Sequence, residues 1–300
     1  MIRTPLVASA ALVALSGLPT AATAFDLGGG LVATGEVKLE YTDSSNNNTA
    51  AAIGDITLAW RSGSVLGFDA ALDSIWLDDG NDFTNLWAAV VLSTSFGDFA
   101  VGAPRPVTET LKVMPNISSS RLIDLEFGSL TGSLTAFTSY FDNGMTPGLA
   151  FTSTAGNLRY GLSYHQIDDG VSTADLVTGA MVFSGGQTTY FIMGEAASEG
   201  SDDVVTLQIG ALHQADRYAL GANLAHVEFS TGNMSAGRLY GSYSLTPALS
   251  VKGDYLAITD SDDLLSLSAE YRFGQNGFVE GGVSVFGDVE VFDIGVGLKF

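Results

Sequence analysis

Val291-Phe292-Asp293-Ile294-Gly295-Val296-Gly297-Leu298-Lys299-Phe300 closes the chain. Phe292, Ile294, Val296, Leu298 and Phe300 share one face of an extended strand, while Asp293, Gly295, Gly297 and Lys299 share the other. Side chains alternate across a strand, so an apolar residue at every second position marks one dry and one wet face. Leu31 to Tyr41 repeats the pattern: Leu31, Ala33, Gly35, Val37, Leu39 and Tyr41 oppose Thr34, Glu36, Lys38 and Glu40. A dry face needs a cover, either a second sheet or lipid.

The alternation recurs along the whole chain, giving a pattern count of eighteen strands. The weakest of them lie at 121–127 and 147–154, with 130–140 between them; one hairpin fewer gives sixteen. Connections alternate between tight turns such as Phe96-Gly97, Ala155-Gly156 and Gly274-Gln275-Asn276, and longer acidic ones such as Asp78-Asp79-Gly80-Asn81-Asp82, Asp168-Asp169-Gly170 and Asp260-Ser261-Asp262-Asp263. Short and long connections alternate when every hairpin spans the same two rims. A sandwich would mix lengths and add crossovers between its sheets.

Charge placement separates lipid from a second sheet. A Lys or Arg on a lipid-facing strand face near the bilayer midplane costs about 2–4 kcal/mol. By parity Lys38, Arg159, Arg217, Arg238, Lys252, Arg272 and Lys299 lie opposite the apolar face, and Arg61, Arg105, Lys112 and Arg121 fall in connections or at strand ends. Trp60, Trp76, Tyr140, Tyr164, Tyr243, Tyr271 and Phe273 sit near strand ends, as interfacial girdles do. The fold class that follows is all-β: a transmembrane antiparallel β-barrel of sixteen to eighteen strands, with Val291–Phe300 pairing with Leu31–Tyr41 to close it.

The front of the chain agrees. Arg3 is the only charge before Asp26, Leu6 to Leu18 is apolar or small, and Ala22-Thr23-Ala24 is a small-x-small cleavage site. Residues 1–24 are expected to be a cleaved signal peptide, since the run is too short to span a bilayer, leaving one barrel domain over 25–300. The chain has no cysteine, which excludes a disulfide scaffold. A formal net charge of −21 excludes nucleic acid, whose binding relies on neutralising phosphate. Mean hydropathy is +0.27 with 15% charged residues, a balance suited to lipid-facing strands.

A barrel this wide holds water unless something fills it. Arg105 to Ser120 is the one connection that breaks the short pattern; Pro104, Pro106 and Pro115 bound or interrupt it, and its Val107, Leu111, Val113 and Met114 favour folding inward against the wall.

Here the chain resembles the general porins, most closely the Rhodobacter type. The resemblance rests on Phe96-Gly97-Asp98-Phe99-Ala100-Val101-Gly102-Ala103-Pro104-Arg105 leading into the long connection, on the signal peptide, and on the ending. That ending is similar to the outer-membrane assembly signal in Asp293, Gly295, Leu298 and Phe300. The resemblance implies a homotrimer of sixteen-stranded barrels, delivered by the barrel-assembly machinery into a membrane of lipid and lipopolysaccharide. It also implies a third external loop folded inward as an eyelet, whose acids face basic wall residues and set a transverse field. Glu109 matches the eyelet acid, with Lys112 beside it, and Lys38, Arg238 and Lys252 match the wall cations. Glu36, Glu40, Asp124, Glu126, Asp254 and Glu270 are expected to line the pore. An eyelet of about sixteen residues with few acids departs from the family and predicts a wider pore.

No enzyme constellation stands out. His165, His213 and His226 form no spaced metal set, and no other cofactor motif is present. Acidic external loops could take Ca²⁺ through carboxylate oxygens, although none has EF-hand spacing. The expected function is passive diffusion of small hydrophilic solutes and ions with a weak cation preference. The alternatives are a solute-specific channel, for which Trp87, Phe137 and Tyr240 are too scattered to form a track, and a structural or adhesive surface barrel, which short loops disfavour.

Overall fold

The structure is a computed structural model that describes residues 24–44, 47–63, 65–142, 145–168, 172–200 and 202–300. The leader sequence up to Thr23, with its predicted cleavage after Ala24, and the Asp169-Gly170 turn therefore lie outside the described residues.

A short strand β1 (Phe25–Gly28) precedes β2 (Leu31–Ser44), β3 (Asn47–Ser62), β4 (Leu66–Leu77), β5 (Asp82–Thr94) and β6 (Gly97–Ala103). After a long connection come β7 (Gly148–Ala155), β8 (Leu158–Asp168), β9 (Thr173–Gly185), β10 (Thr188–Glu199), β11 (Asp202–Gln214) and β12 (Tyr218–Phe229). The chain ends with β13 (Gly232–Ser244), β14 (Leu249–Ile258), β15 (Leu264–Phe273), β16 (Gly277–Phe286) and β17 (Val289–Lys299). Each strand from β2 onward pairs antiparallel with the next, and β17 returns to β2 with Val291 opposite Ser44 and Lys299 opposite Glu36. Sixteen strands thus close a barrel with no free edge, the lower of the two expected counts, and β1 is an extra piece.

β1 occupies the place beyond the end of β17. Phe25 and Asp26 pair with Ala33 and Val32, and the Phe25 ring stacks on Phe300 at 5.3 Å. Between the two partners, Gly35 exchanges both backbone hydrogen bonds with Phe300, at 2.6 and 2.8 Å. Gly35 has φ +148, and a Cβ there would sit 2.1 Å from the Asp55 carbonyl, so only glycine lets β2 switch partners at this point.

The faces follow the parity of the sequence. Leu220, Leu224, Leu239, Leu265, Leu267 and Ile294 point outward and are exposed. No soluble sheet leaves such a continuous apolar belt in water. Lys38, Arg238, Glu270, Glu195 and Asp293 point inward and are buried.

Two expected strands are absent. The segments 121–127 and 130–140 form helices, and the connection between β6 and β7 runs from Pro104 to Pro147 rather than ending at Ser120. It carries α1 (Val107–Thr110), α2 (Arg121–Glu126), α3 (Gly128–Thr131) and α4 (Leu134–Asp142). Ser120 caps α2 by accepting from the Ile123 amide. Ile123, Phe127 and Leu130 recur at helical spacing and pack together against Val227, Leu256 and Leu264 of the wall. The strand reading put Asp124 and Glu126 on the barrel wall; both belong to α2 instead, and Tyr140 belongs to α4 rather than to an interfacial girdle.

Candidate channel constriction

The third connection on the long-loop side lies inside the barrel and touches the wall nearly all the way round. At its root, His165 Nε2 donates to the Pro104 carbonyl (2.8 Å) and the Val107 amide donates to Ser163 Oγ (3.1 Å). Val107, Leu111 and Met114 then pack on Val182, Phe191 and Leu212, burying the apolar side chains that predicted an inward fold.

Beyond α1 the chain is irregular, bent at Met114 and at 117–119, and its carbonyls meet the cations of the opposite wall. Arg238 donates to Pro115 O (2.7 Å) and Asn116 O (3.2 Å), and Asp254 holds the guanidinium at 2.5 Å. Lys38 donates to Ser119 O (2.8 Å) and pairs with Glu40 and Glu280, each at 2.8 Å. Ser119 Oγ donates to Asp293 (2.6 Å). Glu40 accepts from Ser120 Oγ (2.7 Å) and from the Arg121 amide (3.0 Å), so a wall carboxylate caps α2. Across the lumen, Glu195 caps α4 in the same way, accepting from the Leu134 and Thr135 amides (3.0 and 2.9 Å) and from Thr135 Oγ1 (2.7 Å). Gln208 and Asn85 complete the fastening through Gly132 O (2.7 Å) and Ala136 O (2.8 Å).

This geometry corrects the assignment of wall cations. Lys38 and Arg238 are 6% and 2% exposed and grip the loop backbone; they do not face an open eyelet. Buried groups with all their partners in place specify position, so these residues fix where the loop lies. Lys252 sits 3.4 Å from Glu270 and 4.0 Å from Glu280, in a cluster where Arg272 and Lys299 also bind Glu270. Glu36 faces Lys299 at 3.5 Å. Of the expected pore-lining acids, Glu40, Asp254 and Glu270 are each engaged by a loop or a cation, and Glu126 is exposed on α2.

Glu109 and Lys112 do come together, 4.0 Å apart, and they stand beside the free space of the lumen. Toward the tight-turn rim lies a vestibule of about 390 Å³ bordered by Arg61, Asp69, Asp98, Arg105 and Glu109. A smaller, half-open space of about 40 Å³ is bordered by Glu109, Lys112, Arg121, Asp124, Phe137 and Tyr140 of the loop and by Asp73 of the wall. Arg121 donates to Asp73 (2.8 Å), to Tyr140 Oη (2.6 Å) and to Asp124, and Tyr140 donates to Asp73. Arg105 pairs with Asp55 at 2.8 Å.

Burial alone would lower the Arg121 guanidinium, but Asp73, Tyr140 and Asp124 outweigh it and hold it well above its usual range. Burial likewise pushes the Tyr140 hydroxyl well above the ordinary tyrosine value, against the pull of Arg121. Both groups keep their protons at any physiological pH. Along this side the wall supplies Asp55, Asp69, Asp73 and Asp98 with Arg61, and the loop supplies Arg105, Lys112 and Arg121 with Glu109 and Asp124, so the charges are mixed rather than sorted as the resemblance implies. Sequence parity missed Arg105, Arg121 and Asp73 because the first two lie outside strands and the third is one acid among many.

No protein-family profile and no curated protein sequence matches this chain. Solved structures do. Two engineered variants of the Rhodobacter blastica porin superpose with TM-scores of 0.64 and 0.65 at 19% and 20% identity; each match covers 90% of this chain and 100% of the other. A loop-deletion mutant of OmpT, an outer membrane protein of Vibrio cholerae, superposes at 0.66 with 11% identity, covering 90% of this chain and 99% of its own. Likeness at such identities is a likeness of architecture, and on it, together with the closed sixteen-strand barrel and its inward third loop, this chain has the porin fold.

Proposed function

We propose that the protein is a non-enzymatic outer-membrane channel through which small hydrophilic solutes and ions diffuse passively, with a weak preference for cations. The observation that carries this reading is the inner face. Its larger apolar patches are covered by the inward loop, and beside them the loop leaves a vestibule toward the tight-turn rim that carries five charged side chains. Acids outnumber bases there, with Asp69, Asp98 and Glu109 against Arg61 and Arg105, so cations are enriched and anions depleted along the path. The outward apolar belt supports insertion in lipid, and the ending at Phe300 supports delivery by the barrel-assembly machinery after removal of residues 1–24.

Assembly as a homotrimer is part of the same reading. The outward face of β3 and β4 sets Ala50, Ala52, Gly54 and Ala70 among the larger Leu58, Phe68 and Trp76, and Ser74 is fully buried on it, bonded to Thr84 at 2.6 Å. Small residues let two barrel walls approach closely, and a satisfied hydroxyl pair suits protein contact better than acyl chains. The acidic loops are proposed to meet lipopolysaccharide through divalent ions such as Ca²⁺, with no resident cofactor. Planar-bilayer recording of the purified protein tests the channel: stepwise conductance with a cation-favouring reversal potential is expected. A silent bilayer overturns the channel, and a chloride-favouring potential overturns the selectivity.

A further inference from the structure

We infer that the vestibule is a binding site for small organic cations, an ammonium or guanidinium group carried on an apolar ring or short chain. The inference rests on the channel reading above and names the class of solute that is held on the way. It is carried by an apolar strip of the inner wall. Ala71 of β4 lies opposite Trp87 of β5, Ala89 and Val91 follow Trp87 on the same face, and Val91 lies opposite Ala100 of β6. A barrel interior that meets only water is polar. Three other inward apolar patches have loop side chains packed on them: Val107, Leu111 and Met114 on the first, Ile117, Phe127 and Leu130 on the second, Leu122 and Leu125 on the third. Ala71, Trp87, Ala89 and Val91 belong to none of these patches. Packed flush into the wall, each less than a tenth exposed, they border the space of about 390 Å³ instead. Such a volume, with an apolar floor and a few charged groups at its edges, is the usual make-up of a small-molecule site.

The charges at the edges choose the sign. Arg61 is held by Asp69 through two hydrogen bonds (2.5 and 3.0 Å), and Arg105 by Asp55 at 2.8 Å, so each guanidinium already has its carboxylate. Asp98 has no ion pair or hydrogen bond among the described residues. Glu109 has only the Ser133 amide at 3.2 Å and Lys112 at 4.0 Å. Two carboxylates are therefore left over, Asp98 toward the tight turns and Glu109 on the loop, with the apolar floor between them. An anion would meet occupied guanidiniums and uncompensated acids. A bare metal ion gains nothing from the floor, and a neutral apolar solute gains nothing from the acids. A cation with an apolar body uses both.

Three probes separate these contributions: phenethylammonium has charge and body, methylammonium the charge alone, and phenylacetate the ring with the opposite charge. In planar bilayers phenethylammonium is expected to interrupt the current saturably, about tenfold more tightly than methylammonium, and phenylacetate not at all. Asp98→Asn is expected to weaken that block about threefold, as loss of one exposed ion pair does, and Glu109→Gln to act in the same direction. Equal block by the two ammonium ions overturns the site, and so does wild-type affinity in both variants. Occupancy is also read without any current. The chain has three tryptophans, so Trp60→Phe with Trp76→Phe leaves Trp87 as the only one, and its fluorescence in detergent should change saturably with phenethylammonium and not with phenylacetate. No change at Trp87 overturns the site. A silent bilayer with a saturable Trp87 response refutes the channel reading and keeps the site.

Discussion

Glu195 offers the sharpest test of how the loop is held. Its side chain is 4% exposed, and its two oxygens take the Leu134 and Thr135 amides at the start of α4 together with Thr135 Oγ1. Glu195→Ala leaves two buried amide donors without a partner, at about 1–3 kcal/mol each, while the hydroxyl can rotate to another acceptor. The loss is therefore about 4 kcal/mol of docking energy, close to a thousandfold in the equilibrium between docked and released α4. Glu195→Gln keeps the shape but sets an NH2 donor against one of the two amides, leaving that one unpaired at about 2 kcal/mol, on the order of thirtyfold. Amide hydrogen exchange of the detergent-solubilised protein reads this directly. Protection at Leu134 and Thr135 should fall by those factors in the two variants, with the β9–β10 ladder from Met181↔Ile192 onward unchanged. If exchange at both amides in Glu195→Ala stays within about threefold of wild type, the carboxylate does not hold the helix and the fastening described here is wrong.

Three further outcomes follow from the same geometry. Leu267, outward on β15 and 61% exposed, should tolerate Phe but lose about 2–4 kcal/mol of stability in lipid vesicles as Leu267→Arg, measured by urea midpoint; an unchanged midpoint would mean this face does not meet acyl chains. Gly35→Ala would drive a Cβ onto the Asp55 carbonyl where β2 exchanges β17 for β1, so a destabilisation of at least about 2 kcal/mol and a loosened Phe300 are expected, detectable as faster exchange at the Phe300 amide. Tyr140 titrates above its ordinary value of 10.0, so its bond to Asp73 is whole below that pH and weakens only as pH climbs through the raised value; loop protection that falls between pH 7 and pH 9 would contradict its buried position.

The barrel was legible because a strand in lipid obeys one rule on each face. Apolar parity, the absence of outward Lys or Arg and the alternation of turn lengths all report one period, so errors in a single strand hardly matter. The loop obeys no such rule. In 121–140 short runs of alternation and a helical stripe coexist, and Ile123, Phe127 and Leu130 at helical spacing were the signal that decided between them, because burying them required the opposite wall. The charged residues were misread for a related reason. Parity establishes that Lys38 and Arg238 point into the lumen, but pointing inward is shared by residues that meet solute and residues that meet the loop. Only the path of 104–147 distinguishes them: each buried cation finds an unpaired loop carbonyl within 3.2 Å, and a carbonyl without that donor would stay desolvated and unbonded. Lys38 and Arg238 therefore became fasteners once the loop grew long enough to reach them, and the free space keeps Arg61, Asp69 and Asp98 from the wall with Arg105 and Glu109 from the loop.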